Sequence, residues 1–186
     1  MLGSRDCFRL FFKSKVARGE VEYLYCVVCE TSYGKLLVAF DGLGVCYSGF
    51  VGPSLEPSLE YLGELFPNAH ITMQSSVPWL DELLGLIGRV LPHRPIPLIL
   101  YGTLLQQATW EALLEVSLGE TITYIELATK AGYPRAVRAV ASAVGKNTIV
   151  PFVPCHRVVP RSGGLGQYSA EGGVERKRKL LLLERV

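Results

Sequence analysis

The chain has 186 residues, of which 49% are hydrophobic and 19% charged. That is enough apolar material for one large domain or two small ones, and it excludes a disordered chain. The formal net charge is only +2, but it is uneven: residues 1–95 carry 8 Lys/Arg against 10 Asp/Glu, and residues 96–186 carry 11 against 7. The basic excess in the second half suits a nucleic-acid partner, where cations displace counterions from phosphates.

The first segment mixes Arg5, Asp6 and Arg9 with Phe8, Leu10, Phe11 and Phe12. This is not a secretory signal, and apolar runs such as Pro95–Tyr101 are too short to cross a bilayer, so no membrane partner and a cytoplasmic location are expected. Strands are expected at Val21–Cys29, Lys35–Phe40 and Leu43–Tyr47, where β-branched and aromatic residues are bounded by Gly34, Asp41-Gly42 and Gly49. Asp41-Gly42 is a hairpin turn signal. Leu59, Leu62, Leu65 and Phe66 then recur at helical spacing, as do Leu80, Leu83, Leu84, Ile87 and Leu91. Pro92, Pro95 and Pro97 predict a linker around residues 92–101.

The five cysteines, at 7, 26, 29, 46 and 155, are an odd number without a repeat, which predicts free thiols. Cys26 and Cys29 have the spacing of half a zinc site, but no second pair follows at ligand spacing. They are read as strand residues, one of them buried, and no metal is expected.

The second half reads as helical. Thr103 with Gln106, and Thr123 with Glu126, are capping-box signatures that open two helices, the first with Trp110, Leu113 and Leu114 inward. Gly132 ends the second, and Pro134 is placed at the first position of a third. In that third helix Val137, Val140, Ala141 and Val144 form a buried stripe, and Gly145 ends it. Two short helices joined by a tight glycine turn read as a helix-turn-helix. The second of the pair carries Ala136, Ala139, Ala141 and Ala143 with Arg135 and Arg138. Alanine is the best helix former, so propensity alone accounts for the small residues; close approach of the helix to DNA is the functional reading.

Pro154-Cys155-His156-Arg157-Val158-Val159 is the most reactive-looking stretch. Pro151 and Pro154 fix their own φ and push the preceding residues toward extended backbone, so Cys155 is expected on a constrained loop. An imidazole beside a thiol can make the thiolate available near neutral pH. A structural cysteine next to a chance histidine is the plain alternative.

From Gly102 onward the chain resembles the O6-alkylguanine-DNA alkyltransferases, also called methylated-DNA–protein-cysteine methyltransferases. The resemblance rests on blocks in the family's order: Gly102–Trp110, Gly119–Tyr124, Ala136–Val140, Asn147, Pro154–Val159, Gly166–Tyr168 and Glu175–Glu184. It implies transfer of an alkyl group from O6 of guanine in double-stranded DNA to Cys155, once per protein and with no cofactor. It further implies a relay of Cys155, His156 (through water) and Glu184, with Tyr124 donating to N3 of guanine and Asn147 bracing the nucleophile loop. Arg138 matches the family's arginine finger, on a helix whose DNA-facing residues would be Arg135, Ala136, Ala139 and Ser142. Ser169 belongs to a loop that closes over the base, and Tyr168, Val158 and Val144 complete the substrate pocket. The stretch Tyr168–Val174 is about two residues longer than usual and is read as a loop insertion. Some members carry a structural zinc near the N-terminus; its ligands do not map here, because Asp41 stands where a cysteine would be.

The expected architecture is therefore α/β: a supporting domain over 1–95 with an antiparallel sheet, then a mainly helical domain over 96–186 that binds DNA and acts as a monomer. The alternative is a helix-turn-helix or damage-recognition protein without transfer activity. A Cys-His hydrolase would need an oxyanion hole and would turn over repeatedly.

Overall fold

A computed structural model describes residues 7–77, 79–87 and 92–185. It is a mixed α/β structure. The strands are β1 (Phe8–Lys13), β2 (Tyr23–Thr31), β3 (Gly34–Phe40), β4 (Val45–Phe50), β5 (His70–Met73), β6 (Ile96–Tyr101), β7 (Ile122–Thr123) and β8 (Val158–Val159). The α-helices are α1 (Glu56–Leu65), α2 (Leu80–Gly85), α3 (Leu104–Leu114), α4 (Tyr124–Lys130), α5 (Val137–Gly145) and α6 (Gly173–Glu184).

One sheet has the order β1-β6-β4-β3-β2-β5, and a small second sheet pairs β7 with β8. The large sheet is mixed, which corrects the expectation of an antiparallel one. Among the described residues β2, β3 and β4 alone run antiparallel; β1 with β6, β2 with β5 and β4 with β6 are parallel. The hairpin between β3 and β4 turns at Asp41, whose Oδ1 accepts from the N–H groups of Leu43 at 2.7 Å and Gly44 at 3.1 Å.

The expected linker is a second correction. Residues 96–101 form β6, which lies between β1 and β4. Pro97 lacks the N–H a ladder uses, which is why the stretch reads as a break. The ladder tolerates it because β6 is registered with β4 at one pair alone, Val45↔Leu98.

Alternation along the strands sorts side chains to two faces. Leu24, Cys26, Leu37, Ala39, Ile99 and Tyr101 pack with Leu62 and Phe66 on the α1 side. Val27, Cys29, Leu36, Val38, Leu98 and Leu100 pack with Trp110, Leu113 and the second half of the chain. Cys26 and Cys29 therefore face opposite ways and both are buried, at 0% and 8% exposure, where the sequence predicts one. A strand with one solvated face would bury one; this sheet is covered on both.

The capping boxes at Thr103/Gln106 and Thr123/Glu126 are formed in both directions. Helix α4 ends in a Schellman arrangement: Gly132 at φ +82° donates to Thr129 O, and Tyr133 donates to Ala128 O. Helix α5 begins at Val137 with Ala136 as its cap, three residues later than Pro134 predicts. Arg135 and Ala136 thus precede the helix. Its buried stripe is Val140, Ala143 and Val144, with Ala141 half-buried. Leu91, the last residue of the stripe expected for α2, lies outside the described residues. Among the described residues no helix is long and apolar enough to cross a membrane.

Candidate active site

The chain leaving α5 is pinned to β4 before it reaches the cysteine. Ser48 N–H donates to Thr148 O at 2.9 Å, Val150 N–H to Ser48 O at 3.0 Å, and the Ser48 hydroxyl to Val150 O at 2.7 Å. Asn147 then folds across the loop. Its Oδ1 accepts from Ile149 N–H at 3.0 Å, and its Nδ2 donates to Val153 O at 2.7 Å and to Cys155 Sγ at 3.2 Å. Pro154 precedes a single 3-10 turn, Cys155–Arg157, with Cys155 as its first residue and 6% exposed.

His156 and Arg157 point into the same buried pocket from this turn. His156 Nε2 meets Glu184 Oε1 at 2.7 Å. Arg157 holds both carboxylate oxygens, Nε to Oε2 at 3.0 Å and Nη2 to Oε1 at 2.8 Å, and gives Nη1 to Val116 O at 2.6 Å. Burial alone would raise the Glu184 pKa, but hydrogen bonds and charge from His156 and Arg157 overcome it and hold the carboxyl at about 2. Burial lowers the His156 pKa against the pull of Glu184, because the carboxylate charge is already matched by Arg157. A neutral imidazole that donates from Nε2 to a carboxylate carries its lone pair on Nδ1. That Nδ1 is buried and has no hydrogen-bond partner among the described residues.

Burial also raises the Cys155 pKa, opposed by the Asn147 amide, by Tyr168 and by the Lys177 charge. The resting group is a thiol that needs a base. Among the described residues the Tyr168 hydroxyl is buried without a partner of standard hydrogen-bond geometry, yet its electrostatic environment is dominated, after burial, by the Cys155 sulfur. We read this as a close approach whose geometry is not that of a formed bond. Tyr124 opens α4 immediately after β7, which pairs Ile122↔Val158 and Thr123↔Val159. That short sheet sets Tyr124 beside the nucleophile turn, and its pKa is raised by burial and then by Cys155.

The structure thus brings Cys155, His156, Glu184, Asn147, Tyr124 and Tyr168 together. Arg135, Arg138, Ala139 and Ser142 are exposed, with Ala136 half-buried beside them. Ser169 is exposed and donates to Gly145 O, the last residue of α5, at 3.0 Å. Val144 and Val158 are buried at 7% and 0% exposure, in the same core cluster as Cys155. Helix α6 starts at Gly173, and Glu184 lies on its buried face.

Two residues of the site escaped sequence reasoning. Arg157 sits inside the Pro-Cys-His-Arg block, but the sequence assigns it no role of its own. Lys177 reads as one of a basic run, yet it is 1% exposed and its Nζ donates to Val158 O at 2.6 Å and Gln167 O at 3.4 Å. The available signal is spacing: Lys177, Leu180, Leu181 and Glu184 stand at i, i+3, i+4 and i+7 and form the buried face of α6.

A family model described as 6-O-methylguanine DNA methyltransferase, DNA binding domain, matches residues 104–186. The methylated-DNA–protein-cysteine methyltransferase of Haemophilus influenzae is 35% identical over 168 residues, covering 88% of this chain and 87% of that protein. That of Mycobacterium leprae is 36% identical over 163 residues, covering 87% and 93%. The regulatory protein ada of Salmonella typhimurium is 39% identical over 154 residues; these cover 82% of this chain but 43% of that protein, so the chain spans under half its length. Among solved structures, the Mycobacterium tuberculosis O6-methylguanine methyltransferase superposes with a TM-score of 0.70 at 34% identity, over 87% of this chain and 93% of that one. The Mycobacterium tuberculosis OGT solved in complex with DNA gives a TM-score of 0.68 at the same identity and coverage.

Proposed function

The chain belongs to the methylated-DNA–protein-cysteine methyltransferases, and from this we infer that it reverses O6-alkylation of guanine in double-stranded DNA by taking the alkyl group onto Cys155. The observation that carries the reading is the buried thiol held by Asn147, followed directly by a buried histidine whose Nδ1 has no hydrogen-bond partner among the described residues. The Cys155 sulfur attacks the alkyl carbon as the carbon–O6 bond breaks, and the electron pair moves to the guanine ring. The thiol proton passes to His156, and guanine takes up one proton in place of the alkyl group. We assign Glu184 to orienting the imidazole through Nε2, as a carboxylate does in other nucleophile–base pairs. Tyr124 donates to the departing ring, and Asn147 holds the loop. The reaction needs no cofactor, because the base carries the alkyl group.

We propose that α4 and α5 work as a helix-turn-helix. Arg135, Ala136, Ala139 and Ser142 then meet DNA through a face of small residues, and Arg138 fills the place of the flipped base. Such a face reads little sequence, which suits a protein that searches for damage. Tyr168 and Ser169 border the base. We set the division between a supporting and a reactive part after β6 and not at residue 95. A cytoplasmic monomer is the setting this reading implies.

The experiment is mass spectrometry of the protein mixed with duplex DNA containing O6-methylguanine. One methyl group on the peptide containing Cys155, and at most one per protein, is expected. Cys155→Ala should abolish transfer and leave DNA affinity within a few-fold, since phosphate contacts dominate binding. Repeated turnover, or methylation elsewhere, contradicts the mechanism.

A further inference from the structure

Among the described residues of the first half, Arg18 alone is a buried charged side chain, at 6% exposure. It comes from a six-residue 3-10 helix, Lys15–Glu20, that follows β1. Its guanidinium lies 5.6 Å from the centroid of the Phe66 ring and 5.7 Å from that of Tyr101. Nη2 donates to Tyr101 O at 3.4 Å and to Thr148 Oγ1 at 3.2 Å, while Nε has no hydrogen-bond partner among the described residues. No carboxylate pairs with it among the described residues, in contrast to Arg157 with Glu184 and Arg178 with Glu175. Burial lowers its pKa, and the groups that oppose this, Tyr61, Cys46 and Tyr101, are phenols and a thiol.

Such a residue is costly to keep. A guanidinium taken from water without an opposite charge loses more solvation than ring contacts return, and a methionine would fill the same apolar space without that loss. Filling space therefore does not account for Arg18. What only the guanidinium supplies is a donor that reaches two points from distant parts of the chain, the end of β6 at Tyr101 and the hydroxyl of Thr148, 130 positions away. Thr148 follows Asn147 directly. Its carbonyl accepts from Ser48 N–H at 2.9 Å, so with Arg18 on its hydroxyl the residue is held by backbone and side chain alike. One position back, Asn147 donates to Val153 O at 2.7 Å and to Cys155 Sγ at 3.2 Å. A displaced Thr148 swings the Asn147 side chain with it, and a hydrogen bond weakens steeply as it bends.

We propose that Arg18 is a positioning residue for the nucleophile, holding Thr148 so that the Asn147 amide stays aimed at the Cys155 sulfur. A donor at Sγ favours the thiolate over the thiol, the change that His156 completes as base. The proposal rests on the alkyl-transfer reading above. It gives the first half of the chain a part in the chemistry, through a side chain too buried to serve as a phosphate contact.

The test is the single-turnover rate of methyl transfer from duplex O6-methylguanine at saturating DNA, followed across the thiol range from about pH 6 to about pH 9.5. Rates are taken per folded molecule, with circular dichroism supplying the folded fraction. The variants are Arg18→Met, Thr148→Val and Thr148→Ser. The other groups that act on the sulfur, Tyr168, Lys177 and Tyr124, are the same in all of them. Arg18→Met and Thr148→Val should each slow transfer about three- to tenfold, the scale of one hydrogen bond. The DNA concentration for half-saturation should stay within about twofold, since no phosphate contact is removed. In both variants the midpoint of the rise in rate with pH should move up by about half to one unit, because the thiolate is harder to form. The double variant should be no slower than the slower single one, as for two residues that act through one bond. Thr148→Ser keeps the hydroxyl and should keep the wild-type rate and midpoint. If Arg18→Met does not fold, Thr148→Val against Thr148→Ser decides by itself. An unmoved pH midpoint in Thr148→Val, whatever its rate or melting temperature, overturns the proposal and leaves Arg18 a structural residue. Absence of methyl transfer in wild type would instead overturn the alkyl-transfer reading, so the two failures are distinct.

Discussion

Glu184 and His156 show how two ionisable side chains are kept in the core by dividing one charge between them. Arg157 matches the Glu184 carboxylate with two hydrogen bonds, and His156 adds a third without becoming cationic. Removing one member leaves the other's charge buried and uncompensated. Glu184→Gln keeps the volume but strands the Arg157 guanidinium, and should cost about 3–5 kcal/mol, read as a lower urea midpoint. Both groups also make the fold acid-sensitive in one direction. His156 is held neutral in the folded state, so below its unfolded value of 6.5 the unfolded chain binds the extra proton and stability falls with pH. Glu184, at about 2 against 4.5 when unfolded, contributes fully above 4.5 and loses that contribution as pH falls toward 2. The denaturation midpoint should therefore drop from about pH 7.5 to about pH 5.5, and the drop should shrink in His156→Gln. A flat wild-type profile over that interval contradicts the neutral, buried imidazole.

At the scale of elements, two helices start from the same device and differ in what they carry. Thr103 and Thr123 each cap a helix through a reciprocal bond with the residue three positions on. Losing either cap should cost about 1 kcal/mol, the ordinary value for Thr→Ala at this position. The consequence for chemistry differs. Thr123 sits in β7 and sets the start of α4 at Tyr124, beside Cys155, whereas Thr103 opens α3, whose buried face packs on the sheet. Thr123→Ala should slow methyl transfer several-fold more than Thr103→Ala at matched loss of stability, with circular-dichroism melts supplying the match. Equal activity in the two variants would show that the β7–α4 junction does not position Tyr124. These caps, the Asp41 turn and the Gly132 stop were all legible in the sequence, because each is a local hydrogen-bond arrangement with its own residue code. The start of α5 was not, since Pro134 suits both a first helical turn and the bend that it occupies.

The whole molecule is held together across the middle of the chain. Strand β6, beyond the expected boundary, lies between β1 and β4. Residues 148–150 bond to Ser48, Arg18 reaches Thr148 Oγ1 at 3.2 Å, and Arg176 reaches Tyr33 O. One core cluster runs from Phe8 through β2, β3 and β6 to Leu180. Parts joined by one core cluster and by these hydrogen bonds cannot lose one without exposing the other. Equilibrium unfolding should therefore be a single transition, with tryptophan fluorescence and far-ultraviolet circular dichroism coincident. Two separated transitions would mean that the halves fold as independent units.

By itself the sequence determined what is written in short-range terms: helix stripes, caps, turns, free thiols, and a cysteine on a proline-bounded loop followed by histidine. The family blocks added which partners to expect for that cysteine. Tertiary structure alone decided the rest. Glu184 lies 28 positions from His156, and only the packing of α6 brings their side chains to 2.7 Å. Lys177 and Arg157 have no role in the sequence reading; in the fold both are buried and donate to backbone carbonyls of distant residues. Cys29 is buried because the second half of the chain covers its face of the sheet, a fact no window around residue 29 contains. Strand β6 is a strand because β1 and β4 stand on either side of it. Local residue codes fix hydrogen bonds between near neighbours, whereas burial and side-chain meeting depend on which distant surfaces come together, and that is settled by the fold as a whole.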